Sequence, residues 1–277
     1  MRYLKLIAAA GAASLLSGAA LAADMPMPPP YMPPPVQEFG GWYLRGDIGF
    51  SNQSVKHLSN ALEANLTSQS QHGDFSTAGI FGLGAGYQFN NWLRADVTGE
   101  YRGRSNFNGY EVNTFLDNNG DPANGFNKYT GTKSEWLVLA NAYVDLGTWW
   151  CITPFVGAGV GTARVTMANY TDVGQSNGVP GGPSSAFAST ASKWNFAWAV
   201  HAGLAYKISP SLTMELAYRY VDMGNGITGD VIAYDGTNNI NNPTTFKHIT
   251  SQDLKLGVRW AIDPVPEYAP PPLVTKG

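Results

Sequence analysis

Charge is scarce in this chain, sulfur is scarcer, and long apolar runs are confined to one end. Asp, Glu, Lys and Arg make up 13% of the 277 residues and sum to a net charge of -3. No basic block is present to neutralise a phosphate backbone, which excludes nucleic acid as a partner. The single cysteine, Cys151, cannot build a disulfide framework or a thiolate metal site by itself and reads as structural. After residue 22 no run approaches the roughly 18 apolar residues of a membrane-spanning helix, so a helical membrane protein is excluded. Disorder is excluded as well, because 44% of the residues are hydrophobic and 12% aromatic.

What the chain does have begins with an export signal. Arg2 and Lys5 precede an apolar stretch from Leu6 to Leu21, and Ala20-Leu21-Ala22 supplies the small residues of a cleavage site. Residues 1–22 therefore read as a signal peptide, leaving a mature chain that starts Ala23-Asp24. Residues 23–40 form a proline-rich linker whose Met25–Gln37 segment favours extended polyproline II. Residues 263–277 form a second proline-rich stretch, a C-terminal tail. One domain, residues 41–262, lies between them.

Inside that domain the hydrophobic period is two, the mark of strands whose side chains alternate between faces. In Trp42–Phe50, Trp42, Leu44, Gly46, Ile48 and Phe50 share one face, and Tyr43, Arg45, Asp47 and Gly49 share the other. Trp92–Arg104, Leu212–Asp222 and Asp253–Trp260 repeat the split. Thr77–Phe89, Lys133–Leu146, Ile152–Val165 and Lys193–Ile208 fit it less cleanly. Two of these place glycine on the second face, which weakens a strand unless long neighbouring side chains need the room. Asn90-Asn91, Gly147–Cys151 and Ser209-Pro210-Ser211 make short turns. Ser51–Ser76, Ser105–Thr132, Thr166–Ser192 and Gly224–His248 read as long loops rich in Asn, Gly, Ser and Thr. Eight strands with short turns at one end and long loops at the other have the asymmetry of an outer-membrane barrel, and an even strand number puts both termini in the periplasm.

Charge decides which face points inward, since a soluble barrel would turn its apolar face to the core. The face opposite the apolar one carries Arg45, Arg94, Arg102, Arg219, Lys255 and Arg259 against Asp47, Asp96, Glu100, Glu135, Asp145, Glu215 and Asp253. Such near balance predicts a packed, ion-paired lumen with the apolar face turned to lipid. Trp42, Trp92, Trp136, Trp149, Trp150 and Trp260 fall near strand ends, where tryptophan settles at membrane interfaces. The expectation is an all-β, eight-stranded antiparallel transmembrane barrel in the bacterial outer membrane.

Gly41-Trp42-Tyr43-Leu44-Arg45-Gly46-Asp47-Ile48-Gly49-Phe50 after a proline-rich leader, Pro154-Phe155-Val156-Gly157-Ala158-Gly159-Val160-Gly161, and Leu216-Ala217-Tyr218-Arg219-Tyr220 together resemble the small outer-membrane β-barrel proteins of alphaproteobacteria, of the Omp25/Omp31 type. The resemblance covers most of residues 40–262 but not the long loops. It implies an eight-stranded barrel, a major surface protein with an envelope-structural role, contact with host cells in some members, and no enzymatic activity. It also implies recognition by the barrel assembly machinery through a terminal aromatic residue, from which this chain departs because Asp263–Gly277 follows Trp260 and Ile262. Some barrels of this kind are joined to peptidoglycan through a mature N-terminal Ala-Asp, and Ala23-Asp24 matches that pattern.

An eight-stranded barrel is just wide enough to be filled by side chains. The first functional reading is therefore an integral outer-membrane protein with a structural and surface-exposed role, partnered by membrane lipid and, at its loops, by host surface molecules. No catalytic, cofactor or metal site is expected. A small porin-like diffusion channel is the second reading, and an outer-membrane lipid-modifying enzyme the third. Enzyme chemistry would need a histidine beside a serine or an acid at the barrel rim or lipid face. His57, His72 and His248 fall in or beside long loops, and His201 lies on a small-residue face as a hydrogen-bonded lumen residue. Asp117-Asn118-Asn119-Gly120-Asp121 resembles a calcium loop, but Pro122 stands where a glycine is needed and no acid closes it, so it reads as a solvated turn. Tyr110, Phe126, Tyr129, Tyr170, Phe187 and Tyr234 dot the long loops and suit adhesion or plain solvation equally.

Overall fold

The computed structural model describes residues 40–262. The signal peptide, the proline-rich linker with Ala23 and Asp24, and the C-terminal tail lie outside the described residues. Twelve strands follow in chain order: β1 (Gly41–Ser59), β2 (Leu66–Phe75), β3 (Ala78–Gln88), β4 (Leu93–Leu116), β5 (Pro122–Asp145), β6 (Ile152–Ser176), β7 (Gly182–Ala188), β8 (Ala191–Lys207), β9 (Leu212–Asp222), β10 (Gly226–Ile227), β11 (Val231–Ala233) and β12 (Thr245–Ala261).

Eight of them close a ring. β1, β3, β4, β5, β6, β8, β9 and β12 each pair antiparallel with the next, and β12 returns to β1 in continuous register from Ala261 opposite Tyr43 to Thr245 opposite Ser59. Closure leaves no open edge in the ring itself, a requirement for any β structure in hydrocarbon. The short connections join β3 to β4, β5 to β6 and β8 to β9 at one end, where the amide of Ile262 also donates to the carbonyl of Trp42 at 2.9 Å. Both ends of the barrel segment therefore leave at the short-turn end.

At the other end the expected loops are largely strand. The β4–β5 ladder runs without a long break from Leu93 opposite Val144 to Leu116 opposite Pro122, leaving a turn of a few residues where Ser105–Thr132 had read as loop. β1 continues to Ser59 and folds back as β2, which pairs with the far part of β4. β6 continues to Ser176 and folds back as β7, which β11 joins. Much of Gly224–His248 alone keeps an irregular path. The discrepancy has a simple cause. Past the lipid both faces of a hairpin meet water or polar neighbours, so the backbone ladder persists while the apolar alternation that announces it disappears.

Outward positions within the ring are apolar and open, with Leu83 74%, Phe50 68% and Phe196 68% exposed, and the alternate positions are buried. Glycine makes the interior packing possible. Gly86 faces inward opposite Tyr43, and a Cβ there would sit 2.4 Å from the tyrosine Cζ. Gly99 faces outward, and a Cβ there meets nothing within 4 Å.

These two glycines give opposite expectations. Gly86→Val displaces Tyr43 and lowers the folded fraction, at an overpacking cost of about 1–3 kcal/mol or more. Gly99→Ala leaves it unchanged or raises it. Heat-modifiable gel mobility after refolding in detergent measures both, and equal behaviour of the two variants contradicts the packing.

Candidate functional site

The ring turns every second side chain inward, and this places all thirteen charged residues named from the sequence in one interior. Twelve are buried, and the Arg259 side chain is 13% exposed. Arg219 is central, donating to Glu100 at 2.6 Å and to Asp253 at 2.7 Å. Arg102 meets the same Asp253 at 2.5 Å, and Lys255 joins Glu100 at 2.6 Å and Asp47 at 3.4 Å. Nearer the short turns Arg45 binds Asp47 and Asp96, each at 2.8 Å. Arg45, Arg94 and Arg259 converge on Glu215 at 3.3 to 3.5 Å, and Arg94 also reaches Asp145 at 3.2 Å. Neutral donors complete the lattice: Tyr43 donates its hydroxyl to Asp96 at 3.1 Å and Asn141 its amide to Asp96 at 2.8 Å. The Tyr143 hydroxyl accepts from Arg45 at 3.1 Å, and the Arg94 guanidinium lies 4.2 Å from the Tyr143 ring centroid.

Glu135 stands apart from this group. Its partner is Lys133, at 2.5 Å, a lumen charge missing from the sequence reading although it shares the parity of Glu135. Lys133 also donates to Gln53, and its ammonium lies 4.1 Å from the Phe75 ring centroid.

The interior is not filled by charge alone. Toward the hairpin end an apolar block occupies it, with Leu137, Leu139, Val165, Met167, Phe107 and Phe246 among its buried members. β5, β6 and β8 carry apolar residues on both faces here, which is why their alternation is blurred in the sequence. His201 also departs from expectation: it packs at 5.3 Å against the Tyr143 ring, and its Nε2 is buried without a hydrogen-bond partner. Cys151, expected to be structural, is exposed in the turn between β5 and β6.

All six named tryptophans are exposed on the outside. Trp42, Trp92, Trp149, Trp150 and Trp260 ring the short-turn end, whereas Trp136 lies on the opposite side of the apolar belt. There it is joined by Tyr101, with ring centroids 5.0 Å apart, and by Trp194 and Trp198, all exposed. Two aromatic girdles separated by aliphatic side chains are the exterior of a membrane-spanning barrel.

Beyond that second girdle the hairpins carry their own polar core. Glu111 accepts from Gln71 at 2.7 Å and from Asn113 at 2.6 Å. Asp172, on the far part of β6 opposite Tyr129, has a buried Oδ1 with no hydrogen-bond partner. Burial, and then the nearby Glu111 carboxylate, push its carboxyl up from 3.8 to about 7. Asp117 is fully used at its turn, accepting the backbone N–H groups of Asn119, Asp121 and Val179 at 2.9 to 3.0 Å.

Two outcomes follow. Arg219→Ala leaves Glu100 and Asp253 buried without their shared cation and lowers stability by about 3–5 kcal/mol, read from denaturant unfolding in lipid vesicles; a loss within error of zero contradicts the network. A raised carboxyl favours the folded hairpin while protonated, so the Asp172 contribution is full below pH 3.8 and is lost as pH rises through about 7. Protease cleavage of the hairpin end should therefore quicken between pH 5 and 8, and Asp172→Asn should abolish the difference.

The family described as "Outer membrane protein beta-barrel domain" matches residues 8–261. An uncharacterised protein of Brucella abortus is 34% identical over 223 residues, 75% of this chain and 77% of its own. Outer membrane protein PagN of Salmonella typhimurium is 28% identical over 80% of this chain and 90% of its own. A putative adhesin of Rickettsia rickettsii is 30% identical over 80% of this chain and 88% of its own. The matched span takes in the whole closed ring with its ion-paired interior, and the chain belongs to the outer-membrane β-barrel domain family of bacterial outer-membrane proteins.

Proposed function

We propose that this protein is a non-enzymatic, non-conducting barrel that anchors a β-structured platform outside the cell, where the hairpin tips make weak adhesive contacts with host surface molecules. The observation that carries this reading is the length of the hairpins. β4 and β5 have 24 residues each, against the roughly 9–11 residues a strand needs to cross the bilayer. The remaining residues raise the sheet on the order of 30 Å past the lipid. Exposed aromatic side chains stud this extension, among them Tyr234 at 81% and Phe187, Tyr110 and Phe126 at 46% each. Aromatic and small polar residues on a rigid support suit contact surfaces. The PagN and putative adhesin relatives favour the same role.

The closed interior argues against diffusion of solutes, since ion pairs and an apolar block together occupy it. Three of the histidines give no support to lipid-modifying chemistry: His57 meets an acid, Glu63, at 2.7 Å, but on the far part of β1 beyond the apolar belt, His72 stacks on Tyr110 and His201 packs on Tyr143 in the interior. Both ends of the barrel segment leave at the short-turn side, which supports periplasmic termini; attachment to peptidoglycan through Ala23-Asp24 rests on the sequence pattern alone.

The test is to shorten the β4–β5 hairpin by joining Asn108 to Thr130, which are paired, through a two-residue turn. Cells displaying this variant at unchanged surface level should bind host cells about tenfold less or worse, corresponding to roughly 1.4 kcal/mol of lost contact. Undiminished binding contradicts the adhesive reading.

A further inference from the structure

Three successive rows of outward-facing residues cross the barrel wall where the apolar belt ends. Nearest the short turns, Gly46, Leu83, Gly99, Val138, Thr162 and Phe196 are paired in sequence across β1, β3, β4, β5, β6 and β8. The next row is Ile48, Phe81, Tyr101, Trp136, Arg164 and Trp194. The third holds Ser134, Thr166 and Ser192, with Arg104 beside Ser134 at the irregularity between Arg102 and Ser105.

The chemistry therefore passes from small and mostly apolar to mostly aromatic to hydroxylic over three rows, and one arginine interrupts the aromatic row. Arg164 lies between Trp136 and Trp194, is exposed, and turns its guanidinium toward the hydroxyl row, donating to Ser192 Oγ at 3.4 Å. Arg104 is exposed too. Among the described residues neither has a carboxylate within ion-pair distance, whereas the lumen arginines all do. A cation on a lipid-facing strand, held at headgroup height and unmatched by protein, calls for an anion from the membrane.

Next to it the wall is indented. Gly46 and Gly99 remove two side chains from the first row, and the resulting outer groove of about 550 Å³ is bordered by Phe81, Leu83, Tyr101 and Trp136. Its volume is within the roughly 300–1,000 Å³ of small-molecule sites. It faces hydrocarbon, and its upper border, the Tyr101–Trp136 pair, adjoins Arg164 in the same row.

We propose that this face is a specific site for a phosphorylated, polyacylated lipid of the outer leaflet, with an acyl chain lying in the groove over Gly46 and Gly99 and a phosphate held by Arg164 and Arg104. The hydroxyls of Thr166 and Ser192, 2.9 Å apart, add donors at the phosphate. The choice of leaflet rests on the hairpin end facing outward, as proposed above; the binding itself does not.

The test uses the full mature chain, purified and stripped of lipid, in dodecyl maltoside mixed micelles that have no sidedness. Native mass spectrometry follows binding of bisphosphorylated lipid A, its dephosphorylated form, and inorganic phosphate. The phosphorylated lipid should bind one equivalent at least about tenfold more tightly than the dephosphorylated form, and R104A/R164A should abolish that preference. Gly99→Leu, whose side chain enters open space, should block the groove and weaken the phosphorylated lipid by a similar factor with both arginines intact. Equal binding of both lipids, unchanged affinity in folded R104A/R164A or in Gly99→Leu, or inorganic phosphate binding alone overturns the site. Cell-surface proteolysis of the hairpins tests the orientation separately.

Discussion

Every charge turned into a closed β cylinder must find its counter-charge there, and this constraint organises the molecule. A buried, unpaired carboxylate or guanidinium costs several kcal/mol, more than most single contacts contribute. Arg219 shows the consequence, shared between Glu100 and Asp253, which in turn meet Lys255 and Arg102. No member of this chain of pairs can be removed without stranding another. Space is the second half of the same constraint, because long ionic side chains fit the interior only where the adjacent strand has none. A Cβ on Gly257 would fall 2.5 Å from Asp47 Oδ1, and one on Gly82 would fall 2.9 Å from Glu100 Cγ. Inward glycine and inward charge are thus one design on neighbouring strands.

The interior also changes character along its axis. Ion pairs dominate nearer the short turns, an apolar block begins beside Glu100 at Leu137, and a polar core of Glu111, Gln71 and Asn113 continues into the hairpins. The apolar block surrounds the Lys133–Glu135 pair, whose ammonium lies 4.1 Å from the Phe75 ring centroid. It also gives the extension a root, since Phe75 and Phe107 on β2 and β4 pack with Phe246 on β12. A hairpin held this way presents its tip with little conformational freedom, which lowers the entropic cost of any contact made there.

Much of this was legible in the sequence where the two faces of a strand differ in chemistry. Trp42–Phe50 shows its faces outright, and Arg45 and Asp47 could be placed from parity alone. Legibility failed wherever the two faces agree. Leu137 and Leu139 point inward between outward Val138 and Trp136, so nothing in that run separates core from coat. The hairpins beyond the belt are polar on both faces, so Ser105–Thr132 read as loop although β4 and β5 are continuously paired through it. Lys133 sits at that boundary and was missed with it. Which girdle a tryptophan joins depends on strand direction as well as position, and for this reason Trp136 parts from the other five.

The most direct measurement is single-channel recording of the refolded mature protein in planar bilayers. A lumen packed by ion pairs and closed by Leu137, Leu139, Phe107 and Phe246 gives no steady conductance steps at any holding potential that the bilayer tolerates. Reproducible, long-lived nanosiemens openings would contradict it, because they require a continuous water path through an interior that these side chains fill.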